Sequence, residues 1–442
     1  MMPPMRAFKG SRPRHVAPLP RALDDRLGRR AFLGLAAGAG AGLLLPACRR
    51  DESAPRPSPS PSASQAHAAP APQPTAPAPA APEMVAFPEK RELLLLTDRP
   101  PNLESPLAYF REDLTPNDAF FVRWHLADIP TSVDPATFRL KIGGHLESEL
   151  SLSLDELKKG FTPVSVVAVC QCSGNSRKLS SPPVPGGQWG HGAVGNARWT
   201  GVRLKDLLKK AKVKPGAVEV SFDGLDRGVL PATPDFVKTL PFDRANDGEV
   251  LVAYEMNGEP LPMLNGFPLR LVVPGWFATY WVKALSEIAV LNESFHGFWM
   301  DKGYRVPKNA AMAETPGELA KETVPITRMV VRSLLVRPEP GETVPAGAPY
   351  EIEGVAFDAG SGIKRVEVST DGGKTWGEAK LGADLGKYSW RRFRYAWKPS
   401  GGRYTVMTRA TSNAGETQPA TAGWNRSGYA RNMIEPVDVT VG

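Results

Sequence analysis

Cysteine is scarce in this sequence, with three residues in 442, at positions 48, 170 and 172. Cys170 and Cys172 lie too close in sequence for an unstrained disulfide, so we expect no disulfide framework. The chain also lacks a C-x-x-C-H motif, and its six histidines show no H-E-x-x-H spacing. These absences exclude a c-type cytochrome and argue against a zinc protease.

The first 48 residues have the three-part layout of an export signal. An arginine-rich stretch leads to Arg29-Arg30, and the apolar run from Phe32 to Ala47 is too short for a comfortable membrane span. Paired arginines followed by x-Phe-Leu resemble a twin-arginine signal, although glycines replace the usual flanking serine and lysine. We therefore expect export to the periplasm.

Charge and composition separate this leader from the rest of the chain. Residues 1–47 contain eight Arg or Lys and two Asp, a net +6 of the formal +8, so the remainder is close to neutral and no nucleic-acid partner is expected. Residues 49–86 are mainly Ala, Pro, Ser and Gln, which predicts an unfolded tether. The remaining length predicts two domains, at residues 87–323 and 324–442.

A stretch with two thiols follows the apolar run Val166–Val169, which predicts a buried strand. Side chains at i and i+2 share one face of a strand, so Cys170 and Cys172 point the same way only if the strand continues through Gln171. A thiol at a strand end, followed by a Ser-Gly-Asn turn and Arg177, suits a metal ligand beside an anion site. A pair of small buried hydrophobes is the alternative.

Charged residues in predicted strands are a second signal. The run from Ala119 to His125 alternates, so as a strand it would place Arg123 and His125 on one face, which is also typical of a solvated edge. Arg270 stands among apolar residues, where a charge is costly unless an anion meets it. After residue 324, short alternating strands at regular spacing predict an immunoglobulin-like sandwich.

Together these segments resemble the sulfite oxidase family of molybdenum enzymes, most closely its bacterial periplasmic sulfite dehydrogenases. The similarity covers residues 87–442 and includes FVRWH at 121–125, QCSGNSR at 171–177, GNARWTGV at 195–202, YEMNGEPLP at 254–262, GFPLR at 266–270 and VSTDGGKTW at 368–376. The resemblance implies an α+β, sulfite-oxidase-type molybdopterin-binding domain followed by an all-β immunoglobulin-like sandwich. The sandwich resembles the dimerisation domain of the family, which implies a homodimer.

The resemblance implies that Cys172 is the protein ligand of molybdenum, which otherwise takes two sulfurs of one molybdopterin and terminal oxygens. A soft thiolate suits a metal already held by sulfur. The matching positions imply that His125, Asn265, Arg270 and Lys283 bind the pterin and its phosphate, although many relatives carry histidine where Asn265 stands. Cys170 falls outside the motif and is interpreted as a packed core residue.

The substrate pocket implied by the resemblance contains Arg123, Arg177 and Tyr304. Two guanidiniums would hold an oxyanion such as sulfite by bidentate hydrogen bonds, with the phenol nearby. Tyr280 is a rival for the tyrosine position, but it stands in an aromatic run that is typical of packing. Arg426 is one place away from a third arginine of vertebrate relatives, so its role stays open.

The implied activity is the oxidation of sulfite to sulfate, with electrons passed to a separate periplasmic cytochrome c. Two other activities in the superfamily remain open: that of the molybdenum subunit of a sulfane dehydrogenase and that of a methionine sulfoxide reductase, a type that typically lacks the sandwich. A non-enzymatic alternative is a lipid-anchored binding protein, in which the matches at Cys172, Arg123, Arg270 and Lys283 would be vestigial.

Lipidation of Cys48 is the first testable prediction, because Leu45-Pro46-Ala47-Cys48 resembles a lipoprotein cleavage box. We expect mass spectrometry of the exported protein to find Cys48 at the amino terminus with the added mass of a lipid. The Cys48→Ala variant should leave the membrane fraction. An unmodified amino terminus downstream of Cys48 would contradict the prediction.

Overall fold

A computed structural model describes residues 83–442 of the protein. The predicted export signal, Cys48 and nearly all of the predicted tether lie outside the described residues. The tether was predicted to reach residue 86, but residues 84 and 85 already pair with the next strand. Within residues 83–442, no helix is long and apolar enough to cross a membrane.

The first part of the described chain, up to residue 325, is rich in short strands. In chain order the strands are Met84–Val85 (β1), Leu93–Thr97 (β2), Asn102–Glu104 (β3), Val122–Arg123 (β4), Leu140–Gly144 (β5), Leu150–Leu152 (β6), Val164–Gln171 (β7), Val194–Arg203 (β8), Glu219–Asp223 (β9), Lys238–Pro241 (β10), Leu251–Met256 (β11), Glu259–Pro260 (β12), Arg270–Val272 (β13), Glu287–Leu291 (β14), Arg305–Pro307 (β15) and Thr323–Pro325 (β16). The helices are Leu154–Gly160 (α1), Leu204–Ala211 (α2), Phe242–Ala245 (α3) and Phe298–Asp301 (α4).

Strands β15 and β16 pair in a two-stranded sheet, and three larger sheets contain the other strands. Their orders are β1-β2-β3-β4, β10-β9-β14-β5-β6 and β12-β11-β8-β7, and β13 pairs with β11 in the third sheet. Only β14 and β5 pair in parallel among the strands of these three sheets. The helices are few and short, and α1 begins at a capping box in which Ser153 and Glu156 exchange hydrogen bonds.

The strand predicted around Val166–Val169 is confirmed as β7, and it continues through Gln171. Its second half is completely buried: Ala168 and Cys170 pack into one hydrophobic core cluster and Val169 into another. The strand predicted from Ala119 to His125 is wrong in length: only Val122–Arg123 pair as a strand, with Asn102 and Leu103 of β3. Cys172 therefore stands one residue beyond the end of a deeply buried strand.

The second part of the chain is all β. Its strands are Arg332–Arg337 (β17), Thr343–Val344 (β18), Tyr350–Phe357 (β19), Ile363–Ser369 (β20), Gly377–Glu378 (β21), Lys380–Leu381 (β22), Arg391–Trp397 (β23), Gly402–Ser412 (β24) and Val437–Val441 (β25). They form two sheets, in the orders β17-β19-β23-β22 and β18-β25-β24-β20-β21. Apolar side chains of both sheets share one core, so this part is a two-sheet β domain.

The two parts meet beside β7. The backbone N–H of Val169 donates to the carbonyl of Tyr388, and the Arg332 guanidinium of β17 donates to the Ser176 hydroxyl at 2.5 Å. The boundary predicted at 323/324 falls inside β16, and the sandwich strands begin eight residues later, at Arg332. The β domain therefore contacts both the strand that leads to the predicted metal ligand and the loop after it.

Candidate active site

Two adjoining pockets lie at the carboxyl end of β7. The more enclosed one, called the inner pocket, is lined by Phe121, Arg123, His125, Cys172, Ser173, Asn265, Arg270, Ala278, Thr279, Lys283 and Tyr304. The second, called the outer pocket, is lined by Arg123, Cys172, Arg177, Pro185, Gly186, Gly187, Trp299, Tyr304, Arg426, Ser427 and Tyr429. Every site residue predicted from the sequence lines at least one of them, and Arg123, Cys172 and Tyr304 line both.

The turn after β7 positions Cys172 at the junction of the two pockets. The N–H of Cys172 donates to the Ala193 carbonyl at 2.9 Å, and its carbonyl accepts from the Asn175 N–H at 3.0 Å. The Asn175 side-chain oxygen accepts from the N–H of Ala193, which ties the turn to the neighbouring strand. Ser176 continues the turn at φ +71°, a conformation that a non-glycine residue rarely adopts.

Positive groups and unpaired polar atoms characterise the inner pocket. Arg270 is 4% exposed; its guanidinium donates to the carbonyl of Asn265 at 3.0 Å and to the Cys170 sulfur at 3.2 Å. Its Nε, the Nδ1 of His125 and the hydroxyls of Ser173 and Thr279 are buried without a hydrogen-bond partner. Buried polar atoms nearly always have partners, so these atoms fit a polar ligand with several hydrogen-bonding groups.

The charge of the inner pocket favours an anion. Its lining, which belongs wholly to the described residues, contains no Asp or Glu. Burial, and next the nearby charge of Arg270, lower the pKa of Lys283 to about 7, against a weaker effect of Asp226 that raises it. An anionic group in the pocket would give the ammonium a partner and raise this pKa again.

Hydrogen bonds with Phe121 and Lys90 fix the side chain of Asn265. Its amide donates to the Phe121 carbonyl at 3.1 Å, and its side-chain oxygen accepts a hydrogen bond from the buried ammonium of Lys90. Lys90 also donates to the carbonyl of Asn117 at 2.5 Å. Lys90, Ser173 and Thr279 were not singled out from the sequence, although Ser173 stands directly after Cys172 in the recognised motif.

Three glycines form the cradle of Arg177 in the outer pocket. A Cβ at Gly174 or Gly186 would lie 2.5 or 2.7 Å from guanidinium nitrogens of Arg177, and one at Gly428 would lie 2.8 Å from its Cγ. The guanidinium donates to the carbonyls of Ser427 and Gly187 at 2.8 and 3.0 Å. Only glycine leaves this space, so the cradle fixes the direction of Arg177.

Tyr304 lines both pockets and is held on two sides. Its hydroxyl is hydrogen-bonded to Nε2 of His125, and its ring stacks on Tyr429 with centroids 5.5 Å apart. Its backbone has φ +57°, an uncommon conformation for a bulky residue. Burial, and next the charges of Arg123 and Lys283, hold the pKa of His125 well below its usual value, so its imidazole is neutral.

The structure also shows the surroundings of three other residues considered in the sequence analysis. Arg426 lines the outer pocket but is paired with the carboxylate of Glu314 by two charge-assisted bonds of 2.9 and 2.6 Å. Tyr280 is buried against Trp276 and lines neither pocket. The interpretation of Cys170 as packing alone is incomplete, because its sulfur also accepts a hydrogen bond from the Arg270 guanidinium.

Comparison with known proteins identifies the domains. Residues 126–299 match the oxidoreductase molybdopterin binding domain, and residues 323–441 match the Mo-co oxidoreductase dimerisation domain. Mitochondrial sulfite oxidase of Rattus norvegicus is 35% identical over 370 residues, covering 79% of this chain and 66% of the relative. The human enzyme is 36% identical over 363 residues, covering 78% and 65%. The chain thus spans slightly less than two thirds of the length of these relatives.

A solved structure shows the same architecture. The sulfane dehydrogenase SoxCD from Paracoccus pantotrophus superposes with a TM-score of 0.67 at 26% identity, covering 77% of this chain and 84% of that chain. A molybdopterin-binding domain joined to a dimerisation domain defines a molybdenum-dependent oxidoreductase. The chain belongs to the sulfite oxidase family of these molybdopterin enzymes. The unpaired polar atoms and cationic lining of the inner pocket fit the family's cofactor, molybdenum bound to one molybdopterin.

The two thiols should differ in their effect on the metal. We expect Cys172→Ser to lose the thiolate contribution to the metal's absorption and most bound molybdenum, because an alcohol is a poor substitute for a soft thiolate. Cys170→Ala should keep both, since Cys170 lines neither pocket. Molybdenum analysis and absorption spectra of the purified variants check this. The assignment is wrong if Cys170→Ala loses the metal and Cys172→Ser retains it.

Proposed function

We propose that the protein is an exported molybdenum enzyme that oxidises sulfite to sulfate and passes the electrons to a cytochrome c. One observation carries the proposal: Arg123, Arg177 and Tyr304 surround a pocket that opens onto Cys172. Two guanidiniums in the lining of one pocket suit a doubly charged oxyanion. The dimerisation domain and the sulfite oxidase relatives support the same proposal.

The protein's own residues would bind and orient the anion. Arg177 has its Nε and Nη1 occupied by carbonyls, so its remaining nitrogen can point toward a ligand in the outer pocket. Arg123 contacts the Trp124 carbonyl and Asn102 on its other side. A bound sulfite would therefore lie between two fixed donors, close to Cys172 and the Tyr304 hydroxyl, which lowers the entropy cost of reaction.

The oxidation of sulfite adds one oxygen atom derived from water and releases two electrons and two protons. When bound, the molybdenum cofactor supplies the oxygen-transfer chemistry and takes up the two electrons. The neutral imidazole of His125 holds the Tyr304 hydroxyl in one orientation at the edge of the pocket. In the tautomer with its proton on Nε2, the imidazole donates to the phenol oxygen, which leaves the phenol proton free to donate to a reacting oxygen.

The proposal includes the cellular location of the protein, its electron acceptor and its homodimer. The twin-arginine-like leader supports export to the periplasm with the cofactor already bound, and the lipobox supports an anchor at Cys48. A periplasmic cytochrome c would accept the electrons. The two-sheet domain is proposed to be immunoglobulin-like and to pair two chains in a homodimer, as the name of its family implies.

A sulfane dehydrogenase is the second candidate, because the SoxCD structure matches over most of both chains. Steady-state turnover of the molybdenum-loaded protein with cytochrome c separates the candidates, using sulfite, thiosulfate and, in the reductive direction, methionine sulfoxide. We expect sulfite to reduce cytochrome c with the highest kcat/KM. No reduction with sulfite by fully loaded protein would reject the proposal, and turnover of thiosulfate alone would favour a sulfane-type substrate.

The glycines around the Arg177 guanidinium allow a direct test of its role in substrate binding. In Gly174→Ala, the new methyl group would meet the Arg177 guanidinium at 2.5 Å and displace it. We expect KM for sulfite to rise about 10- to 100-fold, since one charge-assisted hydrogen bond contributes about 1.5–3 kcal/mol, while bound molybdenum stays unchanged. Gly160→Ala, at the end of α1 with nothing within 4 Å, is the matched control and should behave as wild type. An unchanged KM in Gly174→Ala would contradict the role of Arg177.

A further inference from the structure

A buried lysine behind the outer pocket has no role in the chemistry described so far. Lys238 begins β10, is 1% exposed, and lines neither pocket. Its ammonium donates to the Trp299 carbonyl at 2.6 Å and lies over the rings of Tyr280 and Tyr304, 4.7 and 5.4 Å from their centroids. Two of these three contacts, Trp299 and Tyr304, are walls of the outer pocket.

No acidic side chain compensates this charge. Among residues 83–442, Lys238 makes no salt bridge within 4 Å, although the structure has twenty elsewhere. Burial, and next the like charge of Arg305, lower the pKa of Lys238 to about 7. Arg305 itself donates to the hydroxyl and carbonyl of Thr323 and to the carbonyl of Met300, not to a carboxylate. An isolated buried ammonium of this kind lowers the stability of a fold.

Because Arg426 is paired with Glu314, the charge of Lys238 is a larger share of the unpaired positive charge near the outer pocket. Of the three arginines that line the outer pocket, Arg426 is neutralised by Glu314, whose pKa it lowers to about 2. Arg123 and Arg177 make no salt bridge among the described residues, so they keep their charge for a ligand. When protonated, Lys238 is a further positive charge in contact with two residues of the outer pocket, Trp299 and Tyr304. An anion in that pocket would interact with this charge in a medium of low polarity.

We propose that Lys238 is a positioning and specificity residue of the anion site. Its ammonium holds the Tyr304 ring and the Trp299 carbonyl in place, and it strengthens the attraction of the outer pocket for a doubly charged oxyanion. The inference rests on the proposed function only in taking the substrate to be such an anion. Since Lys238 does not line the outer pocket, it acts through Tyr304 and Trp299 and through its charge.

The test compares Lys238→Met, which keeps the length of the side chain without charge, with Lys238→Arg, which keeps the charge. Lys238→Gln, which keeps a donor for the Trp299 carbonyl, is a second neutral variant in case the first does not fold. Lys364→Met removes an exposed lysine of β20 and is the charge control. Each is prepared as molybdenum-loaded protein, and sulfate binding is measured by calorimetry alongside thermal unfolding and sulfite kinetics.

We expect Lys238→Met to weaken sulfate binding about three- to thirtyfold, and to raise KM for sulfite by a similar factor with kcat changed less than about threefold. Its melting temperature should be equal to or above that of wild type, because an uncompensated buried charge has been removed. Lys238→Arg and Lys364→Met should bind sulfate within about threefold of wild type. Lys238→Gln should resemble Lys238→Met.

Two results would overturn the inference. A lower melting temperature in Lys238→Met with unchanged sulfate binding would show a structural role alone, and wild-type sulfate binding in Lys238→Gln would show that the charge is not needed. Sulfate binding also separates this inference from the proposed function. If wild-type protein failed to oxidise sulfite while Lys238→Met still weakened sulfate binding, the proposed substrate would be wrong and the role of Lys238 would stand.

Discussion

The guanidinium of Arg270 and the ammonium of Lys283 line the inner pocket, whose lining, all within the described residues, includes no carboxylate. The ammonium of Lys90 donates to Asn265, which also lines this pocket. Burial lowers the pKa of both lysines to about 7. The folded chain thus keeps several positive groups where their desolvation is only partly offset by carbonyls and aromatic rings. An anionic cofactor would supply the missing partner, and its binding would add directly to the stability of the folded state.

The position of Arg177 in the outer pocket depends on the second domain. The outer pocket is completed by residues from both domains: Arg123, Cys172 and Arg177 come from the first, and Ser427 and Tyr429 from the second. The carbonyl of Ser427 accepts from Arg177, and the ring of Tyr429 lies 5.1 Å from the guanidinium carbon of Arg177. The β domain is therefore part of the anion site as well as a candidate dimerisation surface.

The sequence predicted the centre of the site better than its surroundings, for a physical reason. Arg270 stood out because a charge inside an apolar strand requires a partner, and β7 stood out because its β-branched residues can only be buried. The pairing of Arg426 with Glu314 could not be predicted, since these residues are 112 positions apart and only the folded chain brings them together. The hydrogen bond from Arg270 to Cys170 spans 100 positions and left no local signal.

The short strand at Val122–Arg123 shows that local sequence also failed to predict where a strand ends. Alternation predicted a strand from Ala119 to His125, but the ladder with β3 ends at Arg123, and the chain then turns so that His125 can stack on Phe236 at 3.7 Å. Propensity favoured continued pairing, but β3 begins at Asn102, directly after Pro100-Pro101, and a proline has no N–H to extend the ladder.

The backbone conformation of Tyr304 is also set by tertiary contacts and not by local sequence. A tyrosine at φ +57° is less stable than one in an extended or helical conformation, so its surroundings must hold it there. They do so from three directions: His125 at the hydroxyl, Tyr429 on one face of the ring and the Lys238 ammonium over the ring. In this conformation Tyr304 lines both the inner and the outer pocket. A backbone outside the left-handed region would direct the ring elsewhere, so the strain is the condition for placing one phenol beside both the cofactor site and the anion site.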